Sequence, residues 1–501
     1  MSTSNNQNII VLGASLEGWL VAAKLSKELI NSPLKISLIE QPVLNDYSPI
    51  THCDPEVIAL FNEIGVPLAK LLAECDAEFI LGSQYNNNGE DSEKLFVSHS
   101  AFGMPMGIFD AHQFLIKANI DGHKLSPSDV SLAAKMASEK RMGMPGGNPN
   151  LGEVLAAQFS ELKYSLVANT EKLKALLKQV AVQAGVTLVS DQVNQLLRKE
   201  SSNEYFIKFE SQQTLEADLI VDCTGDAGDW YAIDDAFNWE AFGTASKTYA
   251  HYQSSEKQSC NLFTEVKQVD GSNCEGGFIK ITASESEQTC SAYAEQSKEQ
   301  DKVFQEDGYE LLSQYQVEEG RRSAFWHGNL LMLGKSAINY EHLFSGYLDE
   351  VCFAIKRLIG LLPATGDCRI QSEEYNRLVN KYSNSRREFH ELLNYAVSST
   401  NKNIENTQMD TKLSESLQSK VALFACQGKV ILDEYSPYTA NQWAGVFLSM
   451  GIMPKTYHPL LDAISEQAFE QRTTGLVKML DCVVEQMPEY QQFKERIIGR
   501  S

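Results

Sequence analysis

The 501-residue sequence contains no Cys-x-x-Cys pair, and none of its ten cysteines clusters with histidine at metal-ligand spacing. That excludes the common zinc and thioredoxin-like signatures and reads as reduced thiols in a cytosolic chain. Basic clusters are also missing. The pairs Lys140/Arg141, Arg321/Arg322 and Arg386/Arg387 lie far apart, and 66 acidic against 43 basic side chains give a formal net charge of −23. Such an excess repels phosphate backbones and anionic lipid, so neither nucleic acid nor a membrane is an expected partner. The first residues lack a basic n-region, and the apolar run there is broken by Gly13, Ser15, Glu17 and Gly18. Neither a signal peptide nor a membrane span is therefore expected, and the expected location is the cytoplasm. Repeats and low-complexity tails are absent. The ordinary balance of 43% apolar and 22% charged residues describes a globular chain of one large unit or two to three packed domains.

The patterning begins with a buried strand, NIIVL at 8–12. After the turn at 13–18, Val21, Ala22, Leu25 and Leu29 share one helical face, and Asn31-Ser32-Pro33 stops the helix. Leu34, Ile36 and Leu38 then alternate with polar residues in a second strand ending at Glu40, completing a βαβ unit. A helix capped by Asn169 or Thr170 carries Leu173, Leu176, Leu177 and Val180, and Gly185 ends it. Strands follow at 186–189, 205–209 and 219–221, the last running into Asp222-Cys223-Thr224-Gly225. Another strand at 330–333 ends in Gly334-Lys335-Ser336-Ala337. From about Glu341 the pattern is mostly helical. The stretches 142–151 and 267–277 read as loops.

Gly13-Ala14-Ser15-Leu16-Glu17-Gly18 sits where a G-x-G-x-x-G loop belongs, between strand and helix. The first glycine makes the tight turn and the last lets helix and strand approach, while the helix start offers N–H groups and a positive dipole end to a pyrophosphate. Glu40, about 20 residues on, ends a strand where a carboxylate accepts from ribose hydroxyls. Ser15 replaces the middle glycine, and its hydroxymethyl group crowds the pyrophosphate path or donates a hydrogen bond to it. Asp222-Cys223-Thr224-Gly225 and Gly334-Lys335-Ser336-Ala337 fit strand ends that return beside the first loop in a flavin fold. The competing reading is a βα turn kept for packing alone.

Over nearly its full length the chain resembles the flavin-dependent tryptophan halogenases. The likeness runs through GASLEGW (13–19), Ile64-Gly65-Val66, ECDAEF (74–79), ADLIVDCTG (217–225), FWHGN (325–329) onward to Leu343, Trp443, GIMP (451–454) and YHPL (457–460). It implies an α/β, FAD-dependent monooxygenase-type (Rossmann-like) dinucleotide-binding fold with a mainly helical second subdomain. The expected division is an FAD-binding domain over 1–345, with substrate-side insertions near 80–165 and 235–325, and a helical subdomain over 346–501. The implied cofactor set is Gly13, Ala14, Ser15, Gly18, Glu40, Val193, Asp222, Gly334, Ser345 and Gly346. The implied cofactor is FAD, supplied reduced by a separate flavin reductase, since no second nucleotide fingerprint is present. The implied substrate is a small aromatic such as an indole, and the implied assembly a homodimer. In the family, reduced FAD and dioxygen oxidise a halide, and the hypohalous acid reaches a lysine beside the indole while a glutamate assists substitution.

The departures fall on those chemical positions. Ile80 stands in the lysine's place and has no nitrogen to carry or direct a halogen. Phe344 stands in the glutamate's place, although Ser345 and Gly346 match the halide-side residues. The W-x-W-x-I-P segment aligns with LFTEVK at 262–267, which lacks both tryptophans and the proline. No confident catalytic residue is therefore assigned, and no metal site. Three readings stay open: a flavin-dependent oxidoreductase or monooxygenase with altered chemistry, an inactive homologue serving as a binding or regulatory protein, and a halogenase that uses other residues. Thr51-His52-Cys53-Asp54 and Glu341-His342 are further groupings of reactive residue types. Trp326 and Trp443 read more readily as core aromatics than as substrate stackers.

Overall fold

The computed structural model describes residues 8–41, 48–86, 95–103, 109–144, 159–160, 162–200, 202–225, 235–243, 247–254, 262–268, 278–283, 288–293, 309–340, 344, 346–363, 368–398 and 413–499. The chain divides into two compact units, 1–77 with 168–251 and 311–381, and 78–167 with 252–310 and 382–501.

The first unit is built on a six-stranded sheet. Strands β1 (Asn8–Leu12), β2 (Lys35–Ile39), β3 (Thr187–Val189), β4 (Leu219–Asp222), β5 (Trp326–His327) and β6 (Leu330–Met332) lie in the order β5-β6-β4-β1-β2-β3. All neighbours are parallel except β5 and β6. The chain leaves β1 toward β2 on one side and later fills β4 and β6 on the other. The sheet therefore has a topological switch between β1 and β4, where open α/β sheets bind ligands beyond the strand ends. Ile9, Ile10, Val11 and Leu12 are all buried, as a central parallel strand requires. Helices α1 (Leu16–Glu28) and α2 (Thr170–Gln183) pair with each other, and α3 (Leu348–Gly360) packs on α1. Asn169 caps α2, its side chain accepting from Lys172 N.

The second unit holds strands side by side in the order Gln288–Tyr293, Phe278–Ala283, Phe263–Gln268, Gly82–Asn86 and Leu95–Ser98. A short strand, Glu78–Ile80, pairs antiparallel with Ser165–Asn169. Its described helices include Ala111–Ile120, Glu415–Gln427, Ala440–Ser449, Glu466–Glu485 and Tyr490–Ile498. The last of these anchors the short strand. Tyr490 Oη and Lys494 Nζ both bind the buried Glu78 carboxylate, and Tyr490 Oη also accepts Phe79 N at 3.1 Å. Among the described residues no helix is long and apolar enough to cross a membrane, and no group of three metal-ligating side chains gathers.

Candidate functional site

The glycine loop of the first unit is shaped by its close approaches. Gly13 has φ +105°, and a Cβ there would lie 2.9 Å from the carbonyl of Cys223 at the end of β4. At Gly18 a Cβ would collide with the Gly13 carbonyl oxygen. Both positions therefore admit glycine alone, one for the turn and one for helix–strand packing. Gly13 N donates to Ile39 O at 3.1 Å and Ala14 N to Gln41 O at 3.3 Å, tying the loop to the end of β2.

Ser15, whose hydroxymethyl is expected to crowd the loop or donate toward a ligand, also has a local partner of its own. It is the N-cap of α1, with φ −67° and ψ 170°, and its Oγ accepts from Gly18 N at 2.9 Å. The helix consequently starts at Leu16, inside the fingerprint, because a serine in extended backbone satisfies the N3 amide from within.

The strand ends converge on this loop. Asp222 is fully buried, and its Oδ1 accepts from Thr224 N at 2.8 Å and Thr224 Oγ1 at 2.7 Å. Its Oδ2 has no hydrogen-bond partner among the described residues. Burial pushes the carboxyl up to about 6, against the lowering effect of the Thr224 hydrogen bonds, of Arg322 and of the Ser336 hydroxyl. Gly225, at φ +80°, donates its N–H to Ser336 Oγ at 2.8 Å, and that hydroxyl donates to Gly225 O at 3.1 Å. Leu333 N donates to Asp222 O at 2.9 Å. Gly334, at φ +65°, lies against Glu17 of α1, whose Cγ would be 2.7 Å from a Cβ at that position. The turn after β6 thus returns beside the first loop.

On the far side of β2, the Glu40 carboxylate pairs with Lys178 of α2, whose Nζ stands 5.2 Å from the Trp19 ring centre. Val193 N donates to Gln41 Oε1 at 3.0 Å. Gly346 sits against His52, whose carbonyl oxygen would be 2.6 Å from a Cβ there. Phe344 is 2% exposed. Ser345 and the Glu341-His342 pair lie outside the described residues. Thr51-His52-Cys53-Asp54 belongs to a strand, Ile50–Cys53, and to the cap of the following helix. The Cys53 thiol is pushed well above its usual range, chiefly by burial and then by Asp54 and Cys75, so it is protonated at neutral pH and a poor nucleophile.

In the second unit Ile80 is 1% exposed. Ser165 Oγ donates to Ile80 O at 3.3 Å and stands 2.9 Å from His99 Nε2. Leu81 N donates to Leu262 O at 2.7 Å, so the segment 262–267 adjoins the residue after Ile80. That segment forms most of the strand Phe263–Gln268, parallel to Gly82–Asn86, with Thr264 and Val266 fully buried. Elsewhere in this unit Phe389 stacks on Tyr438 with centroids 4.0 Å apart and meets Trp443 edge-on at 5.0 Å. Lys420 Nζ stands 5.3 Å from the Trp443 ring centre and pairs with Glu388 and Asp433. Trp443 and, in the first unit, Trp326 are each 1% exposed. The His99–Ser165 contact and the Phe389–Tyr438 stack are not marked by the sequence, since neither stands in a motif, and Glu17 stands there only as a variable position of the 13–18 loop.

Comparison with known proteins gives a consistent result. A family model described as tryptophan halogenase matches residues 8–466. The tryptophan 6-halogenase ThaL of Streptomyces albogriseolus is 21% identical, with 99% of each chain covered. Among solved structures, BrvH, a flavin-dependent halogenase from a Brevundimonas species, superposes with a TM-score of 0.83 at 18% identity, covering 98% of this chain and 99% of that one. A flavin-dependent halogenase from Xanthomonas campestris gives 0.84 at 19% identity, with 98% of both chains covered. At these identities the superpositions speak to fold.

Proposed function

The chain belongs to the tryptophan halogenase family, and from that premise we propose that it is a flavin-dependent oxidoreductase of the monooxygenase type in which lysine-directed halogenation has been lost. The observation that carries the flavin half is the placement of the 13–18 turn and the start of α1 at the sheet's switch point, between the ends of β1 and β4. The fully buried Asp222 at the neighbouring strand end supports it: the hydroxyl that acts on its carboxylate beyond Thr224, Ser336, is already engaged with Gly225, so Oδ2 fits a hydroxyl donor of a bound group.

The residues present fit FAD. The 13–18 loop would hold the pyrophosphate, Glu40 with its Lys178 partner would face the ribose, and Asp222 with the 334–336 turn would complete the flavin side. Val193 and Gly346 belong to the same proposed set, as does Ser345. When bound, FAD supplies two-electron chemistry toward dioxygen, and it arrives reduced from a separate reductase.

This chain's own residues then decide the outcome. Ile80 presents a buried aliphatic side chain where a nitrogen would direct halogen, and Phe344 presents no carboxylate. Without them, electrophilic halogen has neither carrier nor assisting base. A small aromatic substrate belongs to this proposal on the resemblance alone. A homodimer in the cytoplasm belongs to this proposal on the resemblance alone. A second reading, a binding protein without oxygen chemistry, is favoured by the loop's internal hydrogen bonds: Ser15 Oγ takes Gly18 N, and Gln41 Oε1 takes Val193 N.

The test is incubation with reduced FAD, air, bromide and tryptophan, followed by mass spectrometry. No brominated ring is expected. A bromotryptophan product would overturn the altered chemistry.

A further inference from the structure

Glu40, the acid at the end of β2, has a backbone held firmly against the glycine loop. The carbonyls on either side of it, Ile39 O and Gln41 O, accept from the loop's first two amides, Gly13 N at 3.1 Å and Ala14 N at 3.3 Å. Its own N–H donates to Val189 O at 3.1 Å, which ties it to β3. The side chain is less confined, at 31% exposure. A glutamate loses much rotamer freedom when it is fixed, so one orientation requires a partner.

That partner comes from far along the chain. Lys178 Nζ of α2 donates to Glu40 Oε1. The same ammonium stands 5.2 Å from the ring centre of Trp19, which is buried on α1. The indole face attracts the cation. Because α1 and α2 pair, the lysine reaches across both helices and is braced on the first before it meets the acid. The two side chains are 45% and 31% exposed, and an ion pair so open to water adds little to stability. What it fixes is direction. A carboxylate has about four lone-pair sites over its two oxygens, so with Lys178 on Oε1 it keeps capacity for the adjacent hydroxyls of a ribose. The ammonium also offsets the acid's charge beside a loop that would hold a diphosphate.

We propose that Lys178 is a positioning residue of the dinucleotide site: braced on Trp19, it holds the Glu40 carboxylate toward the adenosine ribose and so favours FAD over flavins that lack the adenosine half. The inference rests on the flavin reading above, in which Glu40 faces the ribose.

The test is calorimetric titration of FAD, oxidised and photoreduced, and of ADP and FMN into the full-length protein. Wild type is compared with Lys178→Met, Lys178→Arg and the exchanged pair Glu40→Lys with Lys178→Glu. Methionine keeps an apolar stem over Trp19 and removes the ammonium; Lys178→Gln serves the same comparison should that variant not fold. Lys178→Met is expected to raise the FAD and ADP dissociation constants at least threefold and to leave FMN unchanged. Lys178→Arg is expected to stay within about twofold of wild type, since a guanidinium both pairs with a carboxylate and stacks on an aromatic face. The exchanged pair restores the salt bridge without the acid at position 40, so it is expected to keep the wild-type Tm and still bind FAD weakly. Unchanged or tighter FAD binding by the folded methionine variant, or wild-type FAD affinity in the exchanged pair, overturns the inference and leaves the flavin reading standing. No binding of either form of FAD by wild type overturns both.

Discussion

Ser15 Oγ accepts the Gly18 N–H at 2.9 Å, so the residue that breaks the three-glycine pattern is the cap of the helix that pattern opens. The substitution closes one anion-binding amide while stabilising α1. Ser15→Ala should therefore cost roughly 0.5–2 kcal/mol of stability, and Ser15→Gly only a few tenths. Urea denaturation of the two variants checks this. Equal losses would mean that the hydroxyl contributes nothing as a cap.

Gly18→Ala meets a different fate. Its methyl group would run into the Gly13 carbonyl, a backbone atom that cannot swing aside. The variant should lose more than about 1 kcal/mol, since strain at a packed backbone position belongs to the severe mutational classes, and it should lose FAD binding with it. Thermal unfolding and FAD titration of the same preparation report the two effects. A variant with wild-type stability would show that the helix start has room to shift.

Asp222 gives a pH prediction with a definite sign. Its folded-state pKa is raised to about 6 from the ordinary carboxyl value of 3.8, because burial disfavours the carboxylate. Between those values the native state binds more protons than the unfolded chain, so this group's contribution falls as pH rises. The ionised form costs roughly 3 kcal/mol above pH 6, a cost relieved as pH drops toward 4. Asp222→Asn should remove that slope, seen as a smaller difference between urea midpoints at pH 4.5 and 7 than in wild type. An unchanged difference would place the titration elsewhere.

Much of this arrangement is legible in the sequence because it is local. The apolar run 8–12, the glycines at 13 and 18 and the alternation at 34–38 specify strand, turn, helix and strand within one stretch of chain. The glycine of 334 and the Asp222-Cys223-Thr224-Gly225 end are legible as flavin-fold strand ends for the same reason. What is not legible is whatever depends on a distant partner. Nothing in GASLEGW says that Glu17 is buried against Gly334, and an isolated His99 carries no sign of Ser165. Leu81 and Leu262 meet only because their strands pair in space. The Ser15 cap could have been read, since serine in extended backbone before a helix is a common cap. The expectation of a glycine at that place hid it.

Ile80 is the position at which lost chemistry can be sought directly. A lysine there would enter a site that is 1% exposed, where burial pulls an ammonium toward its neutral form. Ile80→Lys should therefore fold with reduced stability and titrate below the ordinary lysine range. With reduced FAD, air and bromide it should give the first trace of brominated indole. Mass spectrometry of that reaction, run beside wild type, is the check. A silent variant that binds reduced FAD would show that the nitrogen alone does not restore direction of the halogen.

On the proposed function, this chain keeps a flavin site while its halogen-directing groups are gone. The most direct measurement is an anaerobic titration of the purified protein with oxidised and with photoreduced FAD, followed by admission of air. Saturable binding of at least the reduced form is expected, with absorbance changes after air that differ from those of free reduced FAD. No binding of either form, by a protein shown to be folded, would contradict it and leave a halogenase fold without its cofactor.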